Sequence, residues 1–250
     1  MQQIAVVTPT HKQELTLSEE LRLKITLNSN KELKHFFVLP QDINRNYYKK
    51  IFPLSNIEVF NSYYFKSYSR YNSMMLLPEF YDRFSNFKYI LLSQTDSFVV
   101  KDIRSIATYN FTYLGASWNP SFFITEIFNT IFVNRQFKIL GQTHELQSGN
   151  GGLSLRDPVK ISQILKESNK SQIFKKILRT KKNINEDLLL VFLLKKNGIL
   201  PIPRDTADKF FIETSVNFGI DLKEVYGYHA LQKWNPDLER GLLKKYSQIL

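Results

Sequence analysis

Cysteine is absent from the sequence. That excludes a disulfide framework and any thiolate metal site, and it fits a reducing compartment. Glycine and proline are sparse, nine of each in 250 residues, which excludes collagen-like and low-complexity architectures. No Pro-, Ser- or Gly-rich stretch offers a linker, so residues 1–250 are expected to form a single domain. Long apolar runs are also missing. The most apolar stretch, Phe122 to Val133, is interrupted by Glu126 and is too short and too polar to cross a bilayer. The opening MQQIAVVTPT has no basic region and no cleavage site, so no signal peptide is expected and the expected location is the cytoplasm.

Acidic residues are outnumbered, 23 against 34 Lys and Arg, for a formal charge of +11. An excess of this size favours an anionic partner: nucleic acid, an anionic membrane face or a phosphorylated substrate. The densest basic stretches are Lys170, Lys175, Lys176, Arg179, Lys181 and Lys182, then Arg240, Lys244 and Lys245. The first is interleaved with Ile173, Phe174, Ile177 and Leu178, which fits a basic amphipathic helix at a membrane and fits a packed surface helix better. Zinc-finger spacing, an RNP motif and a dense basic helix are all missing, so nucleic acid is not an expected partner.

What is present is 43% hydrophobic residues in an alternating pattern of elements. Ile4–Val7, His35–Leu39, Ile57–Phe60 and Tyr89–Leu92 read as buried strands. Residues 14–29, 42–52 and 69–84 read as helices, the last kinked or broken by Pro78. Phe98–Val100 and Tyr113–Ala116 read as extended. The expected fold is α/β, with a mostly parallel central sheet and helices on both faces. Ligands of such sheets bind beyond the carboxyl ends of the strands, here Thr8–His11, Pro40–Gln41, Asn61 and Ser93–Ser97.

Four stretches carry candidate chemistry. Ser93–Ser97 puts a carboxylate, Asp96, at a strand tip, where Mg2+ or Mn2+ takes oxygen ligands and bridges to phosphates. If the segment is extended, Gln94 and Asp96 face the ligand and Thr95 turns away; the plainer reading is a polar turn. Gly149-Asn150-Gly151-Gly152 before Leu153-Ser154-Leu155 marks close backbone approach or a loop turn into a short strand. Asn185-Glu186-Asp187 opens the apolar run Leu188–Leu194. Acids in a first helical turn serve as caps, and they can also deprotonate a hydroxyl. Last, Tyr226–Trp234 contains His229, Lys233 and Trp234; a lone histidine is more often a packed side chain.

In this order the four stretches resemble a glycosyltransferase of the GT-A, Rossmann-like fold, and specifically an uncharacterised bacterial glycosyltransferase-like family. The resemblance spans roughly residues 65–235. It implies transfer of a sugar from a nucleotide-sugar donor to a glycan or lipid-linked acceptor, in bacterial surface-polysaccharide synthesis. It implies a nucleotide-binding half, 1–118, and an acceptor and catalytic half, 119–250. It implies Asp96 and His229 as ligands of Mn2+ or Mg2+, although Gln94 stands where the family has the first Asp of Asp-x-Asp. Thr8, Pro9, Thr10, Gln94 and Thr95 would border the nucleotide, Gly151 and Gly152 the transferred sugar, and Lys233 the diphosphate. With the metal site weakened by Gln94, Lys101, Arg156 or Lys233 would neutralise the diphosphate instead.

Asp187, with Glu186, would be the base of an inverting enzyme, while a retaining branch has similar patterns. Tyr71, Trp118, Asn150 and Trp234 are acceptor- or sugar-site candidates. A lipid-linked acceptor would bring the protein to the inner membrane face as a peripheral contact. The alternatives are a catalytically inactive nucleotide- or sugar-binding module, kept open by Gln94, and a nucleotidyltransferase, disfavoured by the lack of glycine after the first strand.

Overall fold

The computed structural model describes residues 2–127, 130–134, 142–171, 184–213, 222 and 224–248. Its centre is a six-stranded sheet. From one edge the strands are β3 (Asn56–Phe60), β2 (Lys34–Pro40), β1 (Gln2–Pro9), β4 (Phe87–Ser93), β10 (Leu153–Arg156) and β6 (Tyr113–Gly115). The first four are parallel. β10 runs antiparallel to both its neighbours, so the sheet is mostly parallel. The expected α/β class holds, with one inverted strand that comes from the later part of the chain.

The continuous apolar runs have the physical origin that the sequence indicates. Along β1, Ala5 and Val7 enter the core on one face while Ile4 and Val6 enter the core on the other. A strand covered on both faces has no polar side to show. Burying each such aliphatic side chain contributes about 1.5–3 kcal/mol.

The helices form where capping residues allow them. α1 (Leu17–Ser29) starts three residues later than expected, because Thr16 and Glu19 close a capping box there. α2 (Arg45–Ile51) is capped by Asn44. The 69–84 stretch is two helices: α3 (Tyr68–Met75), capped by Ser67, and α4 (Pro78–Asp82). Pro78 breaks the run by occupying the first turn of α4, where its missing N–H costs nothing. α5 (Pro158–Ser168) and α6 (Glu186–Lys196) pack with α3 and α4 over one sheet face.

Two small sheets flank the central one. β5 (Ser97–Val99), β12 (Gly227–His229) and β11 (Phe211–Ile212) form the first. The apolar stretch around Phe122–Val133 contributes to the second, in which β7 (Ser117–Ile127) pairs antiparallel with β8 (Thr130–Asn134) and β9 (Gln142–Ser148). The basic run from Lys175 to Lys182, with Ile173, Phe174, Ile177 and Leu178, lies outside the described residues. Arg240, Lys244 and Lys245 project to solvent from the helix Pro236–Ser247, whose Leu243 and Glu239 are buried. Among the described residues no helix is long and apolar enough to cross a membrane.

Candidate active site

Because β1 to β4 are parallel, their carboxyl ends share one edge of the sheet, and a cleft of about 740 Å3 opens there. Three segments line most of it. Pro9, Thr10, His11 and Lys12 follow β1, and Gln94, Thr95 and Asp96 follow β4. Phe65 to Tyr68, with Tyr71, come from the approach to α3 and its first turns. Thr16, Ser18, Glu19 and Arg22 reach the cleft from the start of α1, and Gln232 completes the lining.

The segment after β4 is a tight turn, closed by the Ser97 N–H donating to the Gln94 carbonyl at 2.9 Å. The alternation expected of an extended segment therefore does not apply, and Thr95 lines the cleft alongside Gln94 and Asp96. The Thr95 hydroxyl donates to Glu19 Oε1 at 2.6 Å, and Lys12 Nζ donates to the same oxygen at 2.7 Å. Burial pushes the Glu19 carboxyl up, but the bonds from Lys12, Thr95 and Thr16 outweigh it and hold the group at about 2. Gln94 is fixed at both ends. Its backbone N–H donates to the Gly152 carbonyl at 2.9 Å, and its Nε2 donates to the Tyr71 hydroxyl at 3.1 Å.

Asp96 stands at the hub of a charged cluster. Its Oδ1 lies 3.3 Å from His229 Nε2 and its Oδ2 lies 3.4 Å from Lys233 Nζ. On the far side of the ring, Glu213 Oε1 lies 3.4 Å from His229 Nδ1. Burial disfavours a charge on both Asp96 and His229, yet the contacts win. Asp96 is held well below the carboxylate range, and His229 is raised to about 9 by Asp96 and Glu213.

Asp96 Oδ1 and His229 Nε2 offer a hard oxygen and an imidazole nitrogen side by side, a spacing suited to neighbouring ligands of one divalent ion. Among the described residues no group of three or more His, Asp or Glu side chains converges as metal donors. Two protein ligands, with phosphate oxygens filling other positions, is a usual arrangement for Mg2+ or Mn2+. The donor set thus fits an ion held jointly with a diphosphate.

The glycine pair makes this cluster possible. A Cβ on Gly152 would lie 2.0 Å from His229 Nε2 and 2.3 Å from its Cε1. A Cβ on Gly151 would lie 2.6 Å from Glu186 Oε1 and 3.0 Å from the Asp187 Cβ. The space beside these backbones is filled by the side chains of the site itself, not left open for a sugar.

Behind the glycines lies a buried acidic pair at the start of α6. Asp187 Oδ2 accepts the Gly151 N–H at 2.9 Å, and Oδ1 accepts the Leu188 N–H at 2.7 Å. Burial and the neighbouring Glu186 charge push the Asp187 carboxyl far above the usual carboxylate range. Glu186 Oε1 lies 3.4 Å from Nη2 of Arg156, which is fully buried. Neither Glu186 nor Asp187 lines the cleft directly. Their charges act on Tyr68, which does line it, so the pair stands close behind that wall.

Several sequence expectations are corrected. Thr8 is fully buried, with Oγ1 3.0 Å from His35 Nε2, because strand alternation turns it inward; only Pro9 and Thr10 reach the cleft. Trp118 is a core residue packed edge-on against Phe122. Asn150 is buried and its Oδ1 accepts the Gly152 N–H, a turn role. Trp234 is exposed and does not line the cleft. Arg156 spends its donors on Ser154, Tyr81, Gly151 and Glu186, so it does not face a diphosphate. Lys101 pairs with Glu224, away from the cleft. Of the aromatic candidates Tyr71 alone lines the cleft. Sequence reasoning missed Glu19, Glu213 and Gln232. Glu19 carried a readable signal, the Thr16–Glu19 capping box; Gln232 lay unremarked within the Tyr226–Trp234 stretch, and Glu213 sits in no motif.

Residues 55–229 match a protein family described as Protein of unknown function (DUF5672). No curated protein matches the chain in sequence. Among solved structures, the apo-form glycosyltransferase GlyE of Streptococcus pneumoniae TIGR4 is similar with a TM-score of 0.57 and 15% identity, over 99% of this chain and 60% of GlyE. A second GlyE crystal structure gives 0.53 at 15% identity, again over 99% of this chain and 60% of that one. The apo structure of the bifunctional glycosyltransferase WbbM gives 0.51 at 9% identity, over 91% of this chain and 45% of WbbM. The chain thus spans about 60% of GlyE and under half of WbbM. At these identities the likeness establishes the fold, which is that of glycosyltransferase structures, as the sequence resemblance implied.

Proposed function

The chain belongs to the family of proteins of unknown function DUF5672, and we propose that it is a nucleotide-sugar-dependent glycosyltransferase. The observation that carries this reading is the placement of Asp96. It sits at the carboxyl end of a central parallel strand, beside His229, on the lining of a large cleft at that edge of the sheet. The similarity of the fold to GlyE and WbbM supports the same reading.

In this reading the donor lies in the cleft, bordered by Pro9, Thr10, Gln94 and Thr95. Asp96 and His229 hold Mn2+ or Mg2+ together with the diphosphate. Such an ion, when bound, offsets charge developing on the leaving group. Lys233, paired with Asp96, adds a positive charge on the same side. Gln94 contributes by anchoring the β4–β5 turn, its side-chain amide donating to Tyr71 and its backbone N–H to Gly152, while Asp96 supplies the charge. Residues before 118 border the donor, while the acidic pair and His229 come from the later half. The acceptor is a glycan or lipid-linked saccharide.

Asp187 is the base. Its orientation is fixed by two backbone N–H groups, and each oxygen keeps a second lone pair for a hydroxyl proton. A base whose pKa is raised toward the working pH is matched to that task. The protonated carboxyl cannot accept a proton, so turnover should rise with pH below the Asp187 midpoint, about tenfold per unit, and level off above it. That midpoint should lie above the ~4 of an ordinary aspartate. The check is kcat against pH for wild type and Asp187→Asn: the variant should lose the acid limb and most of its rate. An identical limb in both proteins would remove Asp187 from the mechanism.

The donor assignment is tested by thermal shift against nucleoside diphosphates and nucleotide sugars, each with Mn2+ or with EDTA. A ligand at 100 times its Kd stabilises the native state by about 2.7 kcal/mol. At about 2–4 °C per kcal/mol for a chain of this size, the expected shift is about 5 °C or more with one nucleotide family. It should vanish in EDTA and in Asp96→Asn. A shift surviving EDTA would assign the diphosphate to the cleft's basic residues, and no shift with any nucleotide would overturn the donor reading.

A further inference from the structure

Glu213 has no part in the reading above, yet it touches the residue on which the ion-holding pair depends. β11 runs parallel to β12, with Phe211 opposite Gly227 and Ile212 opposite Tyr228. The next residues along the two strands, Glu213 and His229, therefore stand side by side. Glu213 Oε1 lies 3.4 Å from His229 Nδ1, while Asp96 Oδ1 lies 3.3 Å from Nε2. The ring is buried, and among the described residues Nδ1 makes no hydrogen bond of ordinary geometry, so the Glu213 carboxylate at 3.4 Å acts on it as a charge contact.

We propose that Glu213 is the positioning residue of the Asp96–His229 pair, holding the imidazole so that Nε2 faces Asp96. The proposal rests on the reading of that pair as the ion-holding site. A half-turn of the ring about its Cβ–Cγ bond would replace Nδ1 by Cδ2 and Nε2 by Cε1. Both carboxylates would then face carbon. While Asp96 is free it also favours the observed orientation. Once Asp96 engages an ion, Glu213 is, among the described residues, the carboxylate still in contact with the ring. Gly152 restrains the ring from one face, since a Cβ there would lie within 2.5 Å of three ring atoms. It blocks tilting but does not distinguish the two flipped orientations. Among the described residues Lys233 pairs with Asp96 and not with the ring. Histidines that ligate metals characteristically place their second nitrogen against a carboxylate, and losing that partner costs about 10–100-fold in affinity.

The test uses Glu213→Gln and Glu213→Ala in the full chain, with two readouts. The first is proton–nitrogen NMR of the imidazole groups in ion-free protein, tractable because the chain has 4 histidines. In Glu213→Ala the His229 ring N–H signals should move, and Nδ1–H should exchange with water at least ~10-fold faster, as expected when the carboxylate beside a buried N–H is removed. The His35 signals should stay in place. Unchanged His229 signals would overturn the proposal. The second is Mn2+ binding, followed by the free-ion electron paramagnetic resonance signal, with and without inorganic pyrophosphate. Glu213→Ala should bind Mn2+ about 10–100-fold more weakly than wild type, and Glu213→Gln, which keeps an acceptor oxygen, should fall between. Equal affinity in all three would overturn it. If wild type takes up no Mn2+ under either condition, the ion-holding reading fails, while Glu213 still stands or falls by the NMR result. Should Glu213→Ala not fold, Glu213→Gln carries both measurements.

Discussion

Gly152→Ala is expected to lower turnover about 100-fold and to abolish the Mn2+-dependent thermal response to the donor. The added methyl would sit 2.0 Å from His229 Nε2, 2.3 Å from Cε1 and 2.5 Å from Cδ2. No flexible side-chain end is available to yield. The obstacle is an imidazole with a carboxylate at each nitrogen, so the whole Asp96–His229 arrangement must shift. Displacing a reacting constellation by about 1 Å costs on the order of 100-fold in rate. The stability cost of such overpacking, about 1–3 kcal/mol, leaves most molecules folded against a typical total of about 5–15 kcal/mol. Activity should therefore fall far more than folding. The control is Gly241→Ala on the exposed face of the helix Pro236–Ser247, where a new Cβ meets nothing within 4 Å. That variant should keep full activity and gain about 0.5–1 kcal/mol, the usual helical advantage of alanine over glycine. Unimpaired turnover in Gly152→Ala would remove His229 from the site.

Arg156→Met should cost about 3–5 kcal/mol, or roughly 10 °C in Tm. Arg156 is fully buried in β10, and its guanidinium spends its N–H groups on four partners. Nε donates to Ser154 at 2.9 Å and Nη1 to the Tyr81 hydroxyl at 2.8 Å. Nη2 donates to the Gly151 carbonyl at 3.2 Å and to Glu186 at 3.4 Å. Methionine fills much of the volume but leaves Glu186 and Asp187 without a compensating charge. The penalty is the stranded acids, not lost packing. Adding Glu186→Gln to Arg156→Met should therefore restore about 1 kcal/mol or more, a coupling that denaturant unfolding of the four proteins of the cycle measures directly. A cost under about 1 kcal/mol for Arg156→Met would mean that water reaches the acidic pair.

The two residues also divide what the sequence discloses from what it conceals. The glycine cluster at 149–152 was legible as a place of close backbone approach. Nothing in its spacing identified the approaching group as His229, 77 positions further along. Arg156 read as a cation at the end of a short strand. Its burial followed from β10 being inserted between β4 and β6, a pairing no local pattern encodes. Thr8 and Trp118 were misplaced for a related reason. Residue type marked them as able to bind, and the direction of the side chain, fixed by strand pairing and core packing, turned them inward.

The sequence by itself determined the elements and their order. Apolar runs with the period of buried strands, helices with caps at Thr16, Asn44 and Ser67, and the break at Pro78 are consequences of local sterics and hydrogen bonding within a few residues. It also determined which strand tip carries the acid. Only the tertiary structure decided how Asp96, His229, Glu213 and the acidic pair meet. Those contacts join residues 16 to 133 positions apart through the pairing of β12 with β11 on one side and with β5 on the other, and through the antiparallel insertion of β10. Their energy belongs to the folded whole: burial raises the Asp187 carboxyl, and paired carboxylates hold the charge on His229. Both effects exist only once water has been excluded by chain segments that are remote in sequence.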